Sequence, residues 1–381
     1  MTTSTPALEI RNGGLIELRD LLAEQYEKRR DIIQYAKSIR AEGGRLHIAG
    51  EPEHLLSLEG VTTVHAEGVY NPTRVCDEGI ATKLEIPLAY VRKMRTEHPA
   101  LWDANVNGWL ERDGGRKFLV RTFPGVDGEP GIARAFLSHK YQIIDNYDVL
   151  SAALMGVRAA GVEVDIMGTD LTERRMHVRA VARNLDIAAP ELLANYKAPS
   201  GDRGSDNPMV GLGFRLANGE LGGGAYTISP YVVIRVCTNG MTLPSFTERV
   251  VHLSGGKNVG TIQWSRDTNR KHLDLITSRT SDAVRQFLRP EVLREFIDGI
   301  TEQAAVKITD PEAVITTVCK TLKFSDEQRK DIFAHFIGGG DVTAGGVMQA
   351  VTSVAQIQPD GDAAAEMDAR ALEALALAAK S

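Results

Sequence analysis

Cysteine is scarce: Cys76, Cys237 and Cys319 are the only three in 381 residues, and they lie far apart. An odd, widely spaced set excludes a disulfide framework and fits a reducing compartment, so a cytoplasmic location is expected. Long apolar runs are missing too. No stretch reaches the ~18 consecutive apolar residues of a membrane span, and the opening MTTSTPALEI shows no basic segment leading into an apolar core, so neither membrane insertion nor export is expected. Metal-ligand spacing is also absent: there is no C-x-x-C or H-E-x-x-H, and the nine histidines are scattered. Gly222-Gly223-Gly224 and Gly338-Gly339-Gly340 lack a following Lys-Ser/Thr and match no G-x-G-x-x-G after a strand, so they read as turns or helix stops. No metal and no cofactor is expected. Excess positive charge is lacking as well. A net charge of -6 gives no global attraction to nucleic acid or anionic lipid, so any polyanion site has to be a local patch.

What remains is an ordinary globular balance, 43% hydrophobic and 25% charged, in a chain long enough for two or three structural parts. Leu15, Leu18, Leu22 and Tyr26 recur at helical spacing, and the pattern predicts a helix running to Tyr35. A strand follows at Arg45–Ala49. From Asp77 the chain predicts a helix, a break at Glu85-Ile86-Pro87, and a second helix before Pro99. Lys117–Phe123 and Ile132–Leu137 read as strands, a helix opens at Asp145-Asn146 and stops at Gly161, and the alternation in Val162–Met167 and Arg175–Ala182 predicts a hairpin. Tyr196–Gly224 is rich in Gly, Ser and Asp and reads as a long loop holding one short strand around Phe214. Tyr226–Cys237 and Arg249–Leu253 return to strand. Helices follow from Ser265, Pro290, Pro311 and Ser325, then an Ala/Glu-rich tail expected to dock loosely. The expected fold class is α+β, a central, mainly antiparallel sheet with flanking helices. The parts run 1–110 (mostly helical), 111–262 (α+β core with a Gly-rich loop), 263–356 (helical) and 357–381 (tail).

VVIRVCTNGM places Cys237 before Asn239-Gly240, a pair that readily adopts the positive φ of a tight turn. No local base or helix N-terminus activates the thiol, so Cys237 reads as a small hydrophobe closing a strand. Arg235 shares its face with Val233 and Cys237, which requires either an exposed face or a paired guanidinium. Across 249–294 basic residues outnumber acidic ones. Arg266 and Arg270 lie one helical turn apart, away from the apolar stripe of Leu273, Ile276, Val284 and Phe287, with Trp264 just before them. The helix pair after Asp77 has helix-turn-helix spacing and places Arg92, Lys93 and Arg95 on its second helix. A solvated helix face and a core helical hairpin are the plain alternatives to these two readings.

AFLSHKYQIIDNYDVL, AYTISPYVVIRVCTNGM, RVVHLSGG and GGDVTAGGVMQAVTSVAQ, in that order, resemble the domain of unknown function 932 family of phage/plasmid-like proteins, over most of the chain to Gln356. One departure is Asn218-Gly219-Glu220-Leu221-Gly222, where many members carry Asn-Ser-Glu-Thr-Gly. The resemblance implies a role on mobile elements, in recombination, replication or maintenance. The leading expectation is a non-catalytic protein that binds nucleic acid, single-stranded DNA foremost, through Arg235, Arg249, His252, Lys257, Trp264, Arg266, Arg270 and Lys271. Arg92, Lys93 and Arg95 form a second candidate contact, and self-association is left open. The alternatives are an enzyme on nucleotides or nucleic acid using His139, Lys140, Asp145, Cys237 and His252, or an anti-defence protein that sequesters a partner.

Overall fold

A computed structural model describes residues 5–49, 53–57, 60–64, 67–141, 143–198, 201–222, 224–235, 240–242, 247–250 and 266–381. A short strand, β1 (Ile10–Gly13), leads into α1 (Leu15–Lys28), which buries Leu18 and Leu22. The helix ends seven residues before the sequence pattern suggested, and Arg30–Tyr35 is strand β2. There Ile32 is buried while Asp31, Ile33 and Tyr35 face out, the two-residue alternation of a half-buried strand.

The strands β2, β3 (Ile39–Glu42), β4 (Arg45–Ile48), β7 (Gly68–Pro72), β8 (Lys117–Phe123) and β9 (Gly131–Ser138) form the first sheet. Its order is β2-β8-β9-β7-β4-β3, antiparallel except for the β7–β9 pair. A separate hairpin joins β5 (Glu53–Ser57) and β6 (Gly60–Val64). Helices α2 (Arg74–Leu84), α3 (Leu88–Glu97) and α4 (Pro99–Arg112) bury Ile80, Leu84, Val91, Trp102 and Val106 against Phe118, Val120 and Phe136 of the sheet. The first part is therefore a sheet with helices on it rather than mostly helical. Its core runs on through β9, past the boundary expected after residue 110, because β8 pairs with β2 from the far side of three helices. A pairing across that much chain leaves no local signature.

Past α5 (Asn146–Ala160), capped by Gly161 at φ 74°, the second sheet begins. It contains β10 (Val164–Leu171), β11 (Met176–Ala188), β12 (Met209–Gly219), β13 (Gly224–Ile234), β14 (Gly240–Thr242) and β15 (Glu248–Val250), with a short α6 (Pro190–Leu193) between β11 and β12. Its order is β1-β10-β11-β12-β13-β14, with β15 also on β13, antiparallel throughout. The long loop expected over 196–224 is corrected here: its second half is the eleven-residue strand β12, inside the sheet. Val210, Leu212, Phe214 and Leu216 alternate into the core, while Gly211 and Gly213 share the opposite face with Arg215 and Ala217. A Cβ on Gly213 would stand 1.9 Å from the Ala180 carbonyl oxygen, so close strand packing requires glycine at a position that reads as loop composition.

Helices α7 (Arg266–Phe287), α8 (Pro290–Ala304), α9 (Pro311–Thr321), α10 (Asp326–Gly339), α11 (Ala344–Ile357) and α12 (Gly361–Ala378) complete the chain. They share one apolar core with α1, α5 and the even-numbered face of β11–β13. The tail is not loosely docked. Met367, Ala371, Ala374, Leu375 and Ala378 on α12 are each at most 1% exposed. Alanine supplies little area per residue but lets helices approach closely, which the notion of a tail without large apolar groups overlooks. The fold class is α+β as expected, divided between two mainly antiparallel sheets. Among the described residues no helix is long and apolar enough to cross a membrane.

Candidate nucleic-acid interface

Among the described residues, Arg235 and Arg249 stand far apart on the second sheet, and Arg235, Arg270 and Lys271 are each paired with an acid. Arg235 leaves the end of β13, where its guanidinium lies over Gly211 and makes a two-pronged pair with Asp186 (Nη2–Oδ1 2.6 Å, Nε–Oδ2 3.1 Å). The arginine that shares a face with Val233 is thus the paired one. Arg249, exposed on β15, sits opposite Thr227, about 27 Å along β13 from Arg235 at the usual rise per residue. Arg270 and Lys271 are exposed on α7, and both reach Asp267, at 3.2 and 2.8 Å. Arg266 opens α7. His252, Lys257, Trp264 and Cys237 lie outside the described residues.

The helix-turn-helix-like pair exists as α2 and α3, with Glu85 in the left-handed region at φ 58°. Its charges point the wrong way for a reading helix. Arg92 bonds Glu78 at 2.7 Å, and Arg95 bonds Asp77, 1% exposed, at 2.6 Å, so both arginines of the second helix fold back on the first. Lys93 remains on the surface, 3.9 Å from Glu97.

A different group of cations converges with few acids within ion-pair distance. At one end of the first sheet Tyr35, 41% exposed, closes β2 opposite Lys117 on β8. The ammonium of Lys117 lies 4.6 Å and that of Lys37 5.7 Å from the centre of its ring. The next residues on this rim are also basic. Arg116 accepts the Ala36 N–H on its carbonyl and donates to the Lys83 carbonyl, and its side chain lies over Phe118. Arg112 covers the Trp109 ring at 5.0 Å. His139 meets the Lys117 carbonyl through Nδ1 at 3.1 Å, with exposed Lys140 beside it. Burial, together with the neighbouring Arg116, lowers the pKa of Lys83. Only Arg116 has a carboxylate nearby, Asp113 at 3.7 Å; among the described residues Lys37, Lys83, Arg112, Lys117 and Lys140 have none within ion-pair distance. The signal in the sequence was faint: Tyr35 and Lys37 are some eighty residues from Arg112–Lys117 and meet only through the β2–β8 pairing.

The other end of β8 is a buried charge cluster. Arg121, 2% exposed, grips both oxygens of Asp31 (2.7 and 2.6 Å), one of Asp145 (2.6 Å), and approaches Glu220 at 3.3 Å. Glu220 stands on the β12–β13 turn. It takes Arg134 at 2.7 Å and receives the first N–H of α5, from Asn146, at 2.9 Å. Burial works to raise the Glu220 carboxyl, but Arg134, Arg121 and the Asn146 N–H outweigh it and hold the group below its ordinary value. Asp145 goes the other way: burial, against the pull of Arg121 and reinforced by Glu220, takes it up to about 6. This junction ties the first sheet to the second, and Asp145, named above for chemistry, is engaged in it. His139 and Asp145 therefore lie on different parts of the molecule.

A cleft of about 630 Å³ lies where α2, the β10–β11 turn and the start of α12 meet. Arg74, Arg92, Arg174 and Arg175 line it, faced by Glu9, Glu173, Asp360, Asp362 and Glu366, and Glu78 bridges Arg92 and Arg174. Its carboxylates slightly outnumber its arginines, which suits a structural seam more than a polyanion. No protein family, no curated protein and no solved structure matches this chain.

Proposed function

We propose that this protein binds single-stranded nucleic acid, DNA foremost, without catalysing a reaction on it, at the basic rim around Tyr35. The observation that carries the reading is an exposed aromatic ring with two ammonium groups beside it and four further cations on the same rim, nearly unopposed by acids, in a molecule of net charge -6. Single strands are held by two effects, phosphate neutralisation and base stacking, and this surface offers both. Every base presents a stackable face, so such a site tolerates many sequences. The resemblance to phage/plasmid-like proteins supports a role in recombination, replication or maintenance of mobile DNA.

Fluorescence anisotropy with a labelled oligonucleotide is the direct test. With four phosphates engaged, the slope of log K against log salt is expected near -3, from about -0.7 per single-strand phosphate. Tyr35→Ala removes the stacking platform and is expected to weaken binding by about 1–3 kcal/mol. Reversing both ammonium groups, Lys37→Glu with Lys117→Glu, is expected to abolish binding at ~0.2 M salt, whereas Arg270→Ala with Lys271→Ala leaves it unchanged. Absence of salt-sensitive binding at low ionic strength, or a double reversal that binds like the parent, overturns the reading.

A further inference from the structure

We infer that the cavity between the Tyr196–Ala198 turn and helices α10 and α11 is a pocket for a nucleobase bearing an exocyclic amino group, taken up as the nucleoside. The site is separate from the rim around Tyr35 and does not depend on it. The cavity measures about 340 Å³, within the range of small-molecule sites (~300–1,000 Å³). Two polar side chains on its wall are buried, and one of them, Gln349, lacks a partner for its amide donor.

Gln349, on α11, is 4% exposed, and its Nε2 has no acceptor among the described residues. Leaving such a donor unpaired is costly, and an acceptor on a ligand removes the cost. Asp341, just before α11, is 7% exposed and also lines the cavity. Thr343 Oγ1 donates to one of its oxygens at 2.8 Å, and among the described residues no cation comes within ion-pair distance. A Cβ at Gly346 would stand 1.9 Å from the Asp341 carbonyl oxygen, so the glycine lets α11 begin directly against the turn that carries this carboxyl.

One amide that needs an acceptor and one carboxyl oxygen that accepts make a complementary pair. Their counterpart is a molecule with a ring nitrogen or carbonyl next to an amino group, the edge of cytosine or adenine; amide and carboxylate side chains read these groups in nucleic-acid grooves. Phe336 and Tyr196 give the cavity aromatic walls against which a flat ring packs. Lys197 and His335 also line the cavity; the Asp341 carboxyl, with no cation within ion-pair distance among the described residues, repels a phosphate placed beside it, so the nucleoside rather than the nucleotide is the proposed ligand. The stretch GGDVTAGGVMQ, distinctive in the sequence and unused by the rim around Tyr35, supplies both side chains.

Calorimetry and NMR on the full chain with cytidine, adenosine, uridine and inosine test this. The expected result is saturable binding of cytidine or adenosine, at least about tenfold tighter than uridine or inosine, which place a carbonyl where the amino group was. Gln349→Leu is expected to lose at least about tenfold in affinity, and the Lys37→Glu, Lys117→Glu protein is expected to bind the nucleoside as the parent does. Should Gln349→Leu fail to fold, the Gln349 side-chain amide resonance in the unmodified chain gives the answer, shifting with the amino nucleoside and not with uridine. No saturable binding of any of the four, equal binding of amino and carbonyl forms, or a Gln349 amide unmoved at saturation overturns the assignment.

Discussion

Strand β8 carries a cation at each end, and the two have opposite fates. Lys117 stands at a rim where cations crowd round an exposed ring and carboxylates are nearly absent; Arg121, four residues on, is 2% exposed amid Asp31, Asp145 and Glu220. The side chains differ little as charges. What differs is the supply of opposite charge from elements remote in the chain: Asp31 on β2, Asp145 at the start of α5 and Glu220 in the β12–β13 turn converge on Arg121, and none of these carboxylates pairs with Lys117. A guanidinium surrounded in this way is structural, because its removal leaves the buried Asp145 and Glu220 with only Arg29 and Arg134 to offset them. An ammonium on a solvated rim contributes little to stability and remains free to meet a ligand.

The largest effect that tests this contrast is on folding. Arg121→Ala is expected to destabilise the chain by about 3–5 kcal/mol, the cost of breaking a buried ion pair from one side, measured as the shift in urea unfolding midpoint. Lys117→Glu is expected to change that midpoint by less than about 0.5 kcal/mol equivalent while weakening oligonucleotide binding. If Arg121→Ala proves as harmless as Lys117→Glu, the division into structural and ligand-facing ends fails.

The second sheet gives a subtler case. Its odd-numbered face carries His177, Arg179, Arg215 and Tyr231, and α12 covers it with Asp362 and Asp368. Burial raises Asp368 to about 7 despite Arg215 at 3.3 Å, and burial lowers His177 to about 4 despite Asp362 at 2.8 Å. For Asp368 the folded state holds its proton more tightly than the unfolded one, so its contribution is full below about pH 4 and is lost as pH rises towards 7. For His177 the unfolded state holds the proton more tightly, so stability is lost as pH falls from about 6.5 to 4. In the parent these slopes oppose each other. Asp368→Asn removes the falling one, so the unfolding free energy of the variant minus that of the parent, from urea titrations at each pH, is expected to increase from pH 4 to pH 7, by at most about 1.4 kcal/mol per pH unit. A difference that is flat or decreases with pH refutes the burial account of this face.

The smallest expected effect is on α7. Arg270→Ala with Lys271→Ala removes two solvated pairs to a single Asp267, and thermal unfolding is expected to move by no more than about 0.5 kcal/mol. A larger loss means that these exposed charges act together in a way their separate geometry does not show.

Much of the element order was legible along the chain. The α2–α3 break, the β10–β11 hairpin, α5 with its glycine stop and α7 from residue 266 all follow from local periodicity and turn chemistry. The failures share one cause. β2 was read as helix because Leu15–Tyr26 set a rhythm that tertiary pairing ends at Lys28; β12 was read as loop because Gly211 and Gly213 serve a close strand contact; α12 was read as loosely docked because alanine packs by proximity rather than by size. The candidate interface depends on the same long-range pairing. Arg235, Arg270 and Lys271 were recognised as basic, but Asp186, nearly fifty residues before Arg235, appears as its partner only once β11 and β13 flank β12.

The residues by themselves determined the class of fold, the run of helices after residue 265 and the requirement that Arg235 be either exposed or paired, because period, turn chemistry and the cost of burying a charge act over a few residues. Only the tertiary structure decided which cations are neutralised and which are left to face solvent. Charge pairing depends on distance in space, and β2 meeting β8, like the β12–β13 turn reaching Arg121, is a distance that chain order does not contain.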